Sequence, residues 1–140
     1  MTRAILDPGF SVSDADELYS IRSWSNGYFG IAPAGDLTVS ARGRVPIAVR
    51  DIVDRLSNEG HQLPMALRFQ DILEDRIDKV NEAFAASIAE AGYSNTYQGV
   101  YPIKVNQRRV VVETIAAYGA KWRTGLEAGS KAAFGARLWR

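Results

Sequence analysis

The sequence predicts an α/β protein in which a β-hairpin precedes alternating strands and helices. Three observations carry that reading. Short β-type runs flank a Pro-Ala-Gly-Asp turn at residues 33–36, apolar residues recur at helical spacing in three later segments, and short apolar runs of strand length separate those segments.

Residues 1–23 carry acids and serines with little periodicity and predict a loose leader, with at most one helical turn near "SDADELYSI". Residues 24–45 predict the hairpin. Its strands are Tyr28 to Ile31 and Leu37 to Ser40, with Trp24, Tyr28 and Phe29 packing against it and Pro33, Gly35 and Asp36 supplying turn chemistry. From residue 46 to 140 the pattern is that of strand and helix units. Ile52, Val53 and Leu56 mark a helix that Gly60 stops, and "QLPMALRFQ" predicts a buried strand from Met65 to Phe69. Asp71 with Glu74 has the form of a capping box. Leu73, Ile77, Val80, Phe84 and Ile88 continue that helix at spacings of three and four, to an end near Gly92. "YQGVYPIKV" is the next strand, and "RRVVVETIAAYG" a helix with Val111, Ile115 and Tyr118 on one face and Gly119 as its cap. "WRTGLEAGS" is the last strand. The order β, α, β, α, β implies a parallel sheet with helices packed outside it.

Composition narrows the function classes. With 46% hydrophobic and 24% charged residues the chain is of soluble globular type. Lys plus Arg at 17 against Asp plus Glu at 16 gives a formal charge of +1, and no basic stripe offers a nucleic-acid or membrane surface. The absence of cysteine excludes disulfides and cysteine nucleophiles within the chain. No signal-like or membrane-spanning apolar run is visible, so a cytoplasmic location is expected. His61, the sole histidine, stands in a loop with no second ligand type nearby. "GLEAGSK" fails as a phosphate-binding loop, since Gly125 and Gly129 enclose three residues and Ser130 precedes Lys131.

Strand alternation places Pro102, Lys104 and Asn106 on one face and Tyr101, Ile103 and Val105 on the other. Lys104 then lies near the carboxyl end of a parallel strand, where α/β folds collect their ligands. A lysine there is commonly a stem on apolar surface with its ammonium in water. Its chemical alternative is a primary amine that forms an imine with an aldehyde, pyridoxal phosphate being the common partner.

"VYPIKVNQ", followed by a helix and "GLEAGSK", resembles the biosynthetic arginine decarboxylases, pyridoxal-phosphate enzymes with an alanine-racemase-like barrel. "WSNGYFGIAPAGDLTV", "LRFQDIL" and "NEAFAASIAEAGY" resemble that family in the same order, from about Trp24 to Lys131. Ornithine and diaminopimelate decarboxylases share only a shorter lysine-strand motif. The resemblance implies the first β/α units of an incomplete (β/α)8 barrel, with Lys104 as the catalytic residue and Schiff-base lysine for pyridoxal 5'-phosphate. It also implies Glu127 as an acid beside the cofactor, L-arginine as substrate, agmatine as product on a route to polyamines, and a homo-oligomer for full-length relatives. Mg2+ enters as a cofactor by family resemblance alone.

A complete barrel takes roughly 250 residues, and this chain counts three barrel strands. The resemblance puts the phosphate-anchoring turns, the acid at the pyridine nitrogen and a catalytic cysteine on later segments, and packs the hairpin on a carboxyl-terminal β-domain. "AAFGARLWR" departs from the family pattern and suggests a truncated or frameshifted reading. An isolated piece of a sheet exposes unpaired edges, so inactivity and association are expected of the chain alone; a non-catalytic α/β module that pairs with another chain, or another amino-acid decarboxylase of the same fold type, is the alternative function.

Overall fold

A computed structural model describes residues 9–130, and the chain forms two compact units that divide between Leu67 and Arg68. The first eight residues of the leader, Lys131 and the departing "AAFGARLWR" lie outside the described residues.

The first unit opens on two helices, α1 (Val12–Tyr19) and α2 (Ile21–Ser25), where at most one turn was expected. The reason is a local device. Ser11 accepts from the Asp14 amide at 3.2 Å while Asp14 accepts from the Ser11 amide at 2.7 Å, a reciprocal cap that pairs two otherwise orphaned donors. The Ser11 hydroxyl, donating to Asp14 Oδ2 at 2.6 Å, and then the Ser11 amide hold the Asp14 carboxyl below its ordinary pKa. The hairpin forms as expected, with β1 (Phe29–Ile31) antiparallel to β2 (Leu37–Val39) in the register Phe29 to Val39. Gly35 at φ +86 supplies the left-handed residue of the turn, and its amide donates to the Ala32 carbonyl at 2.8 Å. A third strand, β3 (Ile47–Ala48), pairs with β2 and was not anticipated. Helix α3 (Val49–Asn58) follows, and Gly60 ends it at φ +93. Arg50 Nε donates to Asp36 Oδ1 at 2.6 Å, tying the first turn of α3 to the hairpin turn. Ile21, Tyr28, Val39 and Ala41 form the buried core, and the Trp24 and Phe29 rings stand 5.3 Å apart on its rim.

In the second unit, α4 (Gln70–Glu90) is a 21-residue helix, about 31 Å long. Its start corrects the capping-box reading. Phe69 is the N-cap and makes no side-chain cap bond, so Asp71 lies within the first turn, where its charge meets the helix dipole. Gly92 at φ +60 lies just past the helix end, with the Tyr93 amide donating to the Ile88 carbonyl at 3.0 Å. The expected strand from Met65 to Phe69 is not formed: it pairs with no strand among the described residues. Apolar side chains alone give such a run no ladder for its N–H and C=O groups.

Strand β4 (Val100–Pro102), helix α5 (Arg109–Gly119) and strand β5 (Gly125–Glu127) make the parallel unit. Its register pairs Val100 with Gly125, Tyr101 with Leu126 and Pro102 with Glu127. Before the ladder begins, Gln98 Nε2 donates to the Arg123 carbonyl and the Gly125 amide to the Gly99 carbonyl. Strand β4 is shorter than expected. After Pro102 the backbone enters a 3-10 turn over Ile103–Val105, which breaks the alternation that set Lys104 and Ile103 on opposite strand faces.

Helix α5 buries Val112 and Ile115, which are 1% and 3% exposed, so the inward face is rotated toward Val112 relative to the expected Val111 stripe. Gly119 is not the expected left-handed cap. It is the last helical residue, at φ −71, and the left-handed position falls on Arg123 after a second 3-10 turn at Ala120–Trp122. Space is what Gly119 supplies: a Cβ there would stand 2.8 Å from Thr124 Cβ and Oγ1.

Asp78 on α4 gathers the far end of α5. Its carboxylate accepts from Tyr118 Oη at 2.6 Å and Trp122 Nε1 at 2.7 Å, and pairs with Lys121 Nζ at 2.6 Å. Partial burial works to raise the Asp78 pKa. The bonds from Lys121, Tyr118 and Trp122 and the Lys121 charge outweigh it and bring the group down from 3.8 to about 2. Lys121 is pushed up by the same partnership.

Two measurements test these contacts. Gly119→Ala lowers stability by about 1–3 kcal/mol in urea unfolding, because the added methyl meets Thr124 inside van der Waals distance. Asp78 stabilises the fold fully above its ordinary pKa, and that contribution is lost as pH falls from about 4 through about 2. Asp78→Asn therefore flattens stability against pH in the acid range and costs about 2 kcal/mol at neutral pH.

Candidate functional site at the carboxyl end of the parallel strands

The β4 and β5 ladder ends at the pair Pro102 and Glu127, so whatever follows Pro102 and stands at Glu127 shares one edge of the sheet. Ile103 turns inward and is 7% exposed. With that side chain fixed in the core, the 3-10 turn carries Lys104 and Val105 outward, both exposed. Glu127, also exposed, is the last residue of the adjacent strand. The fold thus brings Lys104 and Glu127 to the same end of neighbouring strands, with Lys104 on a turn.

Lysines occur at 79, 104, 121 and 131. Lys79 pairs with Asp75 at 2.6 Å along α4, and Lys121 pairs with Asp78. Lys104 makes no hydrogen bond or ion pair among the described residues, and neither does the Glu127 carboxylate. An uncommitted amine and an uncommitted carboxylate at the same end of neighbouring strands are the chemical content of this edge. Among the described residues, a Cβ at Gly129 would meet Glu127 Oε1 at 3.6 Å, an ordinary van der Waals contact.

Two residues around Lys104 were missed as part of the site. Tyr101 Oη donates to the Asn106 carbonyl at 3.2 Å, and Asn106 Oδ1 accepts from the Arg108 amide at 3.2 Å. Strand alternation had simply sorted both onto faces. An asparagine two residues before a helix N-cap was the available signal, because its side chain commonly replaces a backbone partner there. His61 is exposed in the first unit and takes no part. Among the described residues no three His, Asp or Glu side chains converge on a cation-sized site, and no helix is long and apolar enough to cross a membrane.

No family model matches the chain. Individual proteins do. It is 47% identical over 127 residues to the biosynthetic arginine decarboxylase of Deinococcus radiodurans, covering 91% of this chain and 19% of that protein. The biosynthetic arginine decarboxylase of Thermosynechococcus vestitus is 44% identical over 124 residues, covering 87% and 20%. A solved structure, the biosynthetic arginine decarboxylase SpeA from Campylobacter jejuni, superposes with a TM-score of 0.74 at 33% identity, over 83% of this chain and 19% of that one. The chain is a homologue of the N-terminal fifth of biosynthetic arginine decarboxylase. That agrees with the resemblance read from "VYPIKVNQ" and "GLEAGSK". The chain spans about a fifth of the length of the arginine decarboxylases it matches.

The lysines should differ in reactivity. Under limiting reductive methylation followed by peptide mapping, Lys104 is modified ahead of Lys79 and Lys121, whose amines are held by carboxylates at 2.6 Å. Equal modification of the three would show that the ion pairs do not govern access.

Proposed function

We propose that the chain is the N-terminal part of a pyridoxal-phosphate-dependent arginine decarboxylase, with Lys104 as the amine that holds the cofactor's aldehyde. The fold in that reading is the first β/α units of an incomplete (β/α)8 barrel. The observation that carries it is the position of Lys104, uncommitted at the carboxyl end of a parallel strand, in a homologue of arginine decarboxylases. The described residues fit the aldehyde end of the cofactor: a primary amine is exposed, and the carboxylate of Glu127 stands on the adjacent strand.

Bound pyridoxal phosphate supplies an electron sink for the pair left behind when a carboxylate departs as CO2. Lys104 Nζ would hold the aldehyde end of that group, and the net change, loss of CO2 from L-arginine with one proton taken up at Cα, would give agmatine. Glu127 contributes negative charge at the same edge, favouring cationic groups there.

A second reading has its own support. Val100 and Val105 are 58% and 70% exposed, and β4 and β5 each leave an outer edge unpaired among the described residues. A module that completes a sheet with another chain, without catalysis of its own, would present such edges.

Borohydride trapping of added pyridoxal phosphate, with peptide mapping on the chain and on Lys104→Ala, separates these readings. Selective label at Lys104, lost in Lys104→Ala, supports the cofactor reading; label spread evenly over the lysines sinks it. Formation of agmatine from L-arginine by the purified chain extends the reading from cofactor capture to catalysis.

A further inference from the structure

We infer that Tyr101 and Asn106 are positioning residues that hold the turn presenting Lys104; their catalytic purpose rests on the cofactor reading above, while the clamp itself does not. Only six residues, 103–108, join the end of β4 to the start of α5, and Lys104 is the second of them. Three anchors act on them. Ile103 is fixed in the core at 7% exposure, immediately before Lys104. Two residues after Lys104, the Asn106 carbonyl receives the Tyr101 hydroxyl at 3.2 Å, so the turn is closed from the strand side by a ring that is itself half-buried in the ladder. Asn106 Oδ1 then takes the Arg108 amide at 3.2 Å, closing the turn from the helix side.

The helix end makes this second bond consequential. Arg108 is the N-cap of α5 and supplies no side-chain cap bond, so Asn106 satisfies a donor just outside the helix that would otherwise turn to water. Lys104 therefore stands between a buried isoleucine and a doubly bonded asparagine. A single 3-10 turn has weak hydrogen-bond geometry and is rarely rigid unaided. Pinned at both flanks, it restricts the path of the Lys104 backbone while leaving the amine free. That combination suits an amine that must repeatedly capture and release one carbon at a fixed place.

The test uses the whole chain, labelled with nitrogen-15, as wild type, Tyr101→Phe, Asn106→Ala and Asn106→Asp. Backbone order parameters for residues 103–106 are expected near ~0.85 in the wild type and lower in Tyr101→Phe and Asn106→Ala, with α5 beyond its first turn unchanged. Asn106→Asp keeps an oxygen for the Arg108 amide and retains the wild-type values. Pyridoxal phosphate trapping at Lys104 falls about fivefold in Tyr101→Phe, as loss of one hydrogen bond implies, while trapping at Lys79 and Lys121 is unmoved. Wild-type order parameters below ~0.6 across the turn would overturn the inference, as would unchanged values in Tyr101→Phe. Loss of order in Tyr101→Phe without selective trapping in the wild type would support the clamp and overturn the cofactor reading alone.

Discussion

The second unit depends on one carboxylate. Asp78 lies near the middle of α4 and bonds three side chains that follow one another around the end of α5, Tyr118, Lys121 and Trp122. Because those three span the last helical turn and the 3-10 turn after it, holding them together fixes where the chain leaves α5 and hence where β5 starts. A carboxylate with three charge-assisted or neutral donors remains ionised despite losing water, which makes the contact directional in a way that apolar packing is not. Gly119 and Thr124 complete the constraint on the opposite side. Their close approach leaves no room for a side chain, so the path from α5 into β5 is set sterically as well as electrostatically.

From that constraint the edge of the sheet follows. With β5 placed beside β4 in parallel, Pro102 and Glu127 become the terminal pair, and the backbone after Pro102 is free to turn. Ile103 takes the inward position. Lys104 is left outward by a turn instead of by strand alternation, while Lys79 and Lys121 are held by Asp75 and Asp78.

The two units differ in how openly the sequence displays them. The hairpin was legible because Gly35 and its neighbours permit one kind of turn and the flanking residues are β-formers. The third strand was not, since two residues give no period to detect. Helix α1 is longer than the single turn expected there: Ser11 and Asp14 carry a capping pair, and the weak apolar pattern behind it gives little sign of the helix's length. Met65 to Phe69 failed for the opposite reason, having the side chains of a strand and no partner for its backbone.

What the sequence by itself determined is the order of the elements after residue 69, the lysine at the end of the fourth strand, the acid on the next strand, and the similarity to arginine decarboxylases carried by "VYPIKVNQ" and "GLEAGSK". These are properties of local spacing and residue type. Tertiary structure alone decided that Lys104 rides a 3-10 turn, that Tyr101 and Asn106 brace it, that Gly119 is small for the sake of Thr124, and that Asp78 joins α4 to α5. Each of these is a meeting between side chains or backbone groups whose geometry depends on how the chain returns upon itself. A periodic pattern states which face of an element is apolar, but which polar atom reaches which partner is fixed only when the elements are packed.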